Sequence, residues 1–318
     1  MTRRALAWAL SVIGTLGVLA AAPVALTWQP DRPTAALEAR WATPPSKFID
    51  VKGQRVHIRD EGPRADSSPI VLIHGTSASL HTWDGWAEQL RQRRRVVRFD
   101  LPGFGLTGPN IAGDYADASH ARFVLDVADT LGLSRFVVAG NSLGGEVAWR
   151  TALLAPLRVE KLILVDAAGY AFVPESIPIG FQLARSPAAA WLGEYTLPRA
   201  LIESSVRSVY GDPARVTPAL VDRYFELTLR SGNRRALGQR LRQFVPGENA
   251  AQIRALKVPT LILWGGRDRL IPPEYARRFA ADIGGSELVL FDTLGHVPHE
   301  EDPVASLAPV RRFLGVGD

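Results

Sequence analysis

The stretch "FVVAGNSLGGEVAWR", residues Phe136 to Arg150, places one serine between two different local patterns. Phe136 to Ala139 is a short apolar run typical of a buried strand, and the residues from Leu143 onward are typical of an apolar helix. Ser142 therefore lies at a sharp turn, where the neighbouring glycines permit close backbone approach. Such a turn exposes a serine hydroxyl as a nucleophile, although an ordinary helix cap also accounts for a serine here.

Similar apolar runs alternate with helical segments along the rest of the chain. Runs that are apolar on both faces indicate a parallel sheet covered by helices on both sides. A hairpin pattern, "KFIDVKGQRVHIRDEG", precedes them. We therefore predict an α/β fold with a mostly parallel, doubly wound sheet. Its strands are expected to be "PIVLIH", "RVVRFD", "RFVVAG", "KLILVD", "TLILWG" and "ELVLFD".

One interval, between Asp166 and Thr260, is too long for a single crossover and contains segments of helical character. We predict a helical cap insertion at about residues 170–250. The domain is expected to span residues 47–318, preceded by a Pro-rich linker at residues 29–46.

The N-terminus carries an uncharged segment, Ala5 to Trp28, behind Arg3 and Arg4. At about 1.5 Å per residue, a helix of this length spans a bilayer core of about 30 Å. We expect residues 1–28 to form a hydrophobic anchor helix, with the remaining chain outside the cytoplasm because the arginines stay inside. The small residues Ala20 to Ala22 also fit a cleaved signal peptide, which predicts secretion instead.

Composition excludes several classes of function. The net charge of +5 is diffuse and no aromatic residues interleave with the basic run at Arg91 to Arg95, so nucleic-acid binding is not expected. The chain has no cysteine, which excludes thiol catalysis and thiolate metal sites. No phosphate loop or metal-ligand spacing is present, so neither cofactor nor metal is predicted. Oligomeric state is left open.

Polar residues follow several of the predicted strands, and ligands bind at the carboxyl ends of parallel strands. Ser142 follows the third strand, Asp268 the fifth and His296 the sixth. A serine needs a base to accept its proton, and a histidine needs a carboxylate to fix its tautomer. We therefore predict a catalytic triad of these three residues. Asp166, at the end of the fourth strand, is the alternative acid.

A tetrahedral intermediate also needs hydrogen-bond donors for its oxyanion. The backbone N–H groups of Thr76 and Leu143 are the candidates, because they follow the first strand and the serine. His74 and Asp100 are interpreted as structural residues of the same loops.

The order of Ser142, Asp268 and His296, together with "GNSLGG", "WGGRDRLIP" and "GHVPHEEDP", resembles the α/β-hydrolase fold superfamily. The likeness covers about Phe48 to the C-terminus. The resemblance implies a serine hydrolase in which the helical insertion forms the cap. Within this superfamily, the sequence is similar to the meta-cleavage product hydrolases.

Hydrolysis of a carboxylic ester through an acyl-enzyme on Ser142 is the predicted reaction, with a small ester-like molecule as substrate. Carbon–carbon bond hydrolysis is one alternative, although Val297 stands where that group often has an aromatic residue. A membrane-anchored, non-catalytic binding protein is the other. Aromatic residues of the cap are predicted to line an acyl pocket or to form the cap's own core; they are Trp191, Tyr195, Tyr210, Tyr224 and Phe225.

Overall fold

The computed structural model describes residue 8, residues 25–185 and residues 193–317. Within these ranges the chain forms one eight-stranded sheet flanked by helices. The strands are β1 (Lys47–Val51), β2 (Gln54–Glu61), β3 (Ile70–Ile73), β4 (Val96–Phe99), β5 (Phe136–Asn141), β6 (Val159–Val165), β7 (Thr260–Gly265) and β8 (Glu287–Phe291). The helices are α1 (Thr34–Trp41), α2 (Asp84–Leu90), α3 (Asp117–Thr130), α4 (Leu143–Leu154), α5 (Ile179–Arg185), α6 (Arg199–Val209), α7 (Pro218–Thr228), α8 (Asn233–Gln243), α9 (Glu274–Asp282), α10 (Pro298–Glu301) and α11 (Pro303–Leu314).

The sheet has the order β1-β2-β4-β3-β5-β6-β7-β8. The β1–β2 hairpin and the pairing of β2 with β4 are antiparallel, and every pairing from β4 through β3 to β8 is parallel. The register brings Asn141 beside Val165, and Val165 beside Leu263. The residues that follow these strands therefore meet at one edge of the sheet, and the α/β prediction is confirmed.

Apolar side chains cover both faces of the sheet, as the uninterrupted apolar strands require. One core layer includes Trp149 and Trp264, and the opposite layer includes Trp83 and Trp86, all fully buried. Burial of such side chains is the dominant stabilising term in a fold of this kind. The sheet is therefore a rigid support for the loops at its carboxyl edge.

The long interval between β6 and β7 contains helices α5 to α8 in the part that the structure describes. Two small apolar clusters hold this cap together, one around Val206 and Val221 and one around Leu197 and Leu229. The cap helices lie over the strand ends, because they share a cavity with the residues that follow β5 and β8.

The Pro-rich segment behaves differently from the linker that its composition indicates. It contains helix α1, whose Leu37 is buried against Leu106 and Leu227. Glu226 of the cap accepts hydrogen bonds from Arg40 and Trp41, and forms an ion pair with Arg32. Prolines favoured the linker interpretation, but Pro33 precedes the first turn of the helix, where proline does no harm. The segment thus ties the cap to the rest of the domain.

The predicted apolar segment, Ala5 to Trp28, falls outside the described residues apart from Trp8 and residues 25–28. Among the residues that are described, no helix has both the length and the apolar character needed to cross a bilayer.

Candidate active site

The turn that carries Ser142 has the tight geometry that its sequence predicts. Ser142 has φ 56° and ψ −118°, which is outside the usual regions for a residue with a side chain. A Cβ on Gly140 would lie 1.9 Å from the carbonyl oxygen of Gly144, and one on Gly144 would lie 2.2 Å from that of Ile73. Only glycine fits at these positions, so the strand can pass directly into α4 with the serine at the bend.

His296 and Asp268 form the hydrogen-bonded pair that a triad requires. His296 Nδ1 lies 2.6 Å from Asp268 Oδ2, and both side chains are buried. The other carboxylate oxygen of Asp268 accepts the backbone N–H groups of Leu270 at 2.8 Å and Ile271 at 3.0 Å. A proton on Nδ1 leaves Nε2 as an acceptor.

His296 and Ser142 border the same cavity. Nε2 has no hydrogen-bond partner among the described residues, and Ser142 and His296 line one cavity. Catalytic hydrogen bonds are often long in a free enzyme and tighten when substrate binds. The pairing with Asp268 therefore leaves Nε2 available as a base for a hydroxyl group in this cavity.

Asp166, the alternative acid, lies in the same buried cluster. One ligand atom from each of Asp166, Asp268 and His296 falls within 4.8 Å of the others. The imidazole hydrogen bond goes to Asp268. Asp166 Oδ1 accepts the N–H of Gly265 at 2.9 Å, which holds this carboxyl beside the hydrogen-bonded pair.

Two residues that the sequence analysis left without a role hold the histidine loop in place. Asn141 Nδ2 donates to the carbonyl oxygen of His296 at 2.9 Å. The carboxylate of Glu301 accepts the N–H of Gly295 at 2.8 Å and the N–H of Gly211 in the cap at 3.0 Å. Both residues stand inside the quoted motifs, "GNSLGG" and "GHVPHEEDP", so their position beside the triad was the available signal.

The candidate oxyanion donors also border the serine. Thr76 and Ser142 line the same two cavities, and Leu143 lines the smaller of them. Neither the Thr76 nor the Leu143 amide donates to another described residue. The Leu143 amide is in the first turn of α4, where N–H groups lack an acceptor within the helix. The helix N-terminus also favours negative charge at this point.

His74 and Asp100 are fully engaged in holding loops, as their structural interpretation requires. His74 Nδ1 lies 2.7 Å from the carbonyl oxygen of Gly75, and Nε2 accepts the N–H of Leu101 at 3.0 Å. Burial lowers the pKa of His74, which keeps the ring neutral. Asp100 accepts the N–H groups of Leu80 and Leu106, each at 2.7 Å.

A cavity of about 370 Å³ lies between the catalytic loops and the cap. Its walls are largely apolar and include Phe181, Leu197, Leu201, Ile202, Val206 and Leu237. A second cavity of about 150 Å³ shares Thr76 and Ser142 with the first and continues past Leu241 and Phe244. The serine thus lies where two spaces of different size meet.

The predicted aromatic lining of the pocket needs correction. Tyr224 does line the larger cavity, and its hydroxyl donates to Glu300 at 2.7 Å. Tyr195 instead lies outside it and stacks on Trp28, with ring centroids 5.3 Å apart. Tyr210 and Phe225 are buried in the cap's own apolar clusters. Aromatic side chains stabilise a small helical layer by packing within it, which is why they are not free to face the cavity. Trp191 lies outside the described residues.

The smaller cavity borders a buried group of charges. Burial and the nearby Asp117 carboxylate raise the pKa of Glu146 to about 7, despite its hydrogen bonds from Arg150 at 3.0 and 3.2 Å. Arg240 of α8 pairs with Asp117 at 2.5 Å. The ion pair between Asp117 and Arg240 joins α3 to the cap.

The fold agrees with a comparison against known protein families. The model of the alpha/beta hydrolase fold family matches residues 68–303. The chain belongs to this family, and it is a hydrolase of the α/β-hydrolase fold.

Three similar proteins illustrate the range of relatives. An uncharacterized protein of Mycobacterium tuberculosis is 31% identical over 287 residues, covering 86% of this chain and 82% of that one. The 2-hydroxy-6-oxo-2,4-heptadienoate hydrolase of Pseudomonas putida is 27% identical over 285 residues, with coverages of 86% and 97%. A solved bacterial membrane phospholipase A has 26% identity and a TM-score of 0.71, and the match covers 99% of both chains.

Proposed function

We propose that the protein hydrolyses carboxylic esters through an acyl-enzyme on Ser142. The observation that carries this proposal is the buried His296, which is paired with Asp268 and lines the cavity that Ser142 also lines, and whose Nε2 has no hydrogen-bond partner in the described part of the chain. A positioned base of this kind contributes about 10² to 10⁴ in rate.

The reaction proceeds in two halves. Ser142 Oγ attacks the ester carbonyl while its proton passes to His296 Nε2, and Asp268 stabilises the imidazolium. The oxyanion accepts hydrogen bonds from the amides of Thr76 and Leu143, and collapse of the intermediate transfers the proton from His296 to the departing alcohol. Water then attacks the acyl-enzyme by the same route and releases the carboxylic acid.

We further propose that the acyl group is that of a lipid. The larger cavity is apolar enough to hold an alkyl chain, which gains about 0.8 kcal/mol for each buried CH₂. The likeness to a membrane phospholipase A covers 99% of both chains. An apolar segment at residues 5–28 supports action at a membrane surface.

We propose that this segment anchors the protein with its catalytic domain outside the cytoplasm. The mass of the mature chain in a membrane fraction tests the anchor. A full-length mass agrees with it, and loss of about the first two dozen residues would mean a cleaved signal and a secreted enzyme.

Carbon–carbon bond hydrolysis is the second candidate, because the Pseudomonas putida relative hydrolyses a dienoate and shares 27% identity. The same serine and histidine would serve it. A dienoate substrate therefore belongs in the same assay as the esters.

The test compares full-length protein in detergent with two serine variants. The substrates are p-nitrophenyl esters of increasing acyl length, phosphatidylcholine vesicles and the dienoate. Ser142→Ala should abolish turnover, whereas Ser208→Ala, on a cap helix outside the cavity, should keep it. Ester turnover that rises with acyl length supports the proposal. Equal turnover by both variants, or hydrolysis of the dienoate alone, would overturn it.

A further inference from the structure

Asp166 occupies a strained and fully enclosed position directly after β6. Its side chain is 0% exposed, and its φ of 45° is unusual for a residue other than glycine. Oδ1 accepts the N–H of Gly265 at 2.9 Å, and Oδ2 has no partner among the described residues if it is treated as an acceptor. A buried oxygen without a partner is costly, so the protonation state of this carboxyl needs an explanation.

The neighbouring carboxyl group of Asp268 can supply the hydrogen-bond partner that Asp166 Oδ2 lacks. Oxygens of Asp166 and Asp268 fall within 4.8 Å of each other, and both side chains are buried. Two carboxylates at this separation cannot both remain ionised without a large electrostatic penalty. One of the two must therefore hold a proton, and a protonated carboxyl can donate it to the other.

The hydrogen bonds decide which carboxyl is charged. Asp268 receives two backbone N–H groups and faces the ring N–H of His296, which together favour a carboxylate. Asp166 receives only the N–H of Gly265. Burial first, and then the negative charges of Asp268 and Glu301, raise the pKa of Asp166 well above its usual range.

We propose that Asp166 is a neutral carboxylic acid whose Oδ2–H donates to Asp268, so that it acts as a positioning residue for the triad. This rests on the proposed function, in which Asp268 orients the base. The titratable groups that face Asp166 are Asp268, His296 and Glu301. A donor from Asp166 fixes the Asp268 carboxylate and shares its negative charge, which weakens its attraction for the imidazolium. His296 then returns its proton to the leaving group more readily.

A pair of variants separates a neutral Asp166 from an ionised one. Asp166→Asn keeps an acceptor for the N–H of Gly265 and a donor for Asp268. The acidic limb of the pH profile of kcat/KM should therefore not shift. Asp166→Leu removes the donor and should move that limb to higher pH by about 0.5 to 1 unit, the equivalent of one hydrogen bond. If Asp166 were ionised, Asp166→Asn would remove a negative charge and move the limb to lower pH, which would overturn the proposal.

An infrared difference spectrum gives a readout that needs no substrate. Native protein minus Asp166→Asn should show the carbonyl stretch of a protonated carboxylic acid near neutral pH. The signal of Glu146 is present in both proteins and cancels. A carboxylate band in place of the acid band would contradict the proposal, even if Asp166→Leu does not fold. Because this measurement is independent of turnover, a failure of the proposed esterase activity leaves it decisive.

Discussion

The carboxyl edge of the sheet and the cap enclose the same cavity, but they fix their side chains by different means. At the sheet edge, backbone amides and buried polar groups hold Asp268, His296 and Asn141 in defined positions. In the cap, amphipathic helices present Leu201 and Val206 to the cavity, and both side chains lie in small apolar clusters. Hydrogen bonds specify direction, whereas apolar packing specifies mainly volume. Chemistry is therefore expected to depend on the first region, and the choice of substrate on the second.

The largest effect is expected where the hydrogen bonds are most specific. Asp268→Asn presents an amide N–H to His296 Nδ1, which favours the wrong tautomer and leaves Nε2 without a lone pair. We expect kcat to fall about 10⁴-fold with little change in fold. Steady-state kinetics check this against Asp292→Asn, an exposed aspartate after β8, which should remain active. Similar activity in the two variants would remove Asp268 from the triad.

Glu146 tests the buried group of charges beside the smaller cavity. Because its pKa in the folded protein, about 7, exceeds the ordinary value of 4.5, the folded state holds this proton more tightly. Its contribution to the free energy of unfolding is therefore most favourable below about pH 4.5 and decreases as pH rises through about 7. The decrease corresponds to about 3 kcal/mol.

Glu146→Gln lacks this titration. Urea unfolding near pH 5 and again near pH 8 should show the variant gaining stability relative to the native protein at the higher pH. A constant difference between the two proteins would mean that Glu146 is ionised throughout.

Two leucines one turn apart on α8 allow a test of which cavity holds the acyl chain. Leu237 lines the larger cavity and Leu241 the smaller one. Leu237→Phe should lower kcat/KM for long acyl esters about 10- to 100-fold and spare short ones, because it shortens the space for the chain. Leu241→Phe is the matched control and should leave acyl-length preference unchanged. The reverse pattern would place the acyl chain in the smaller cavity.

The smallest effect concerns the segment that ties the cap to the domain. Glu226→Ala removes the acceptor shared by Arg32, Arg40 and Trp41. Two of these partners are partly exposed, so we expect a loss of about 1 kcal/mol in unfolding free energy. Thermal unfolding measures this loss. The control is Glu248→Ala, which replaces an exposed glutamate and should leave the stability unchanged. Equal stability in both variants would mean that the contact is dispensable.

The same contrast explains what could be predicted from the sequence. Strand periodicity predicted the fold, and the motifs at the strand ends named residues that the structure brings together around one cavity. The supporting roles of Asn141 and Glu301 depend on which backbone groups approach them, and spacing along the chain does not contain that information. Which cap aromatics line the cavity could not be predicted from the sequence, because Tyr210 and Tyr224 belong to similar helical patterns. Only tertiary packing places Tyr224 at the cavity and Tyr210 in the cap's apolar cluster.

Covalent labelling tests the central claim, an activated nucleophile at Ser142, most directly. The full-length protein is treated with a fluorophosphonate and the modified peptide is identified by mass spectrometry, beside Ser142→Ala and His296→Ala. The account predicts one label on Ser142 of the native chain, none at that site in Ser142→Ala, and slow labelling in His296→Ala. A folded native chain that stays unlabelled, or a label that persists in Ser142→Ala, would contradict it.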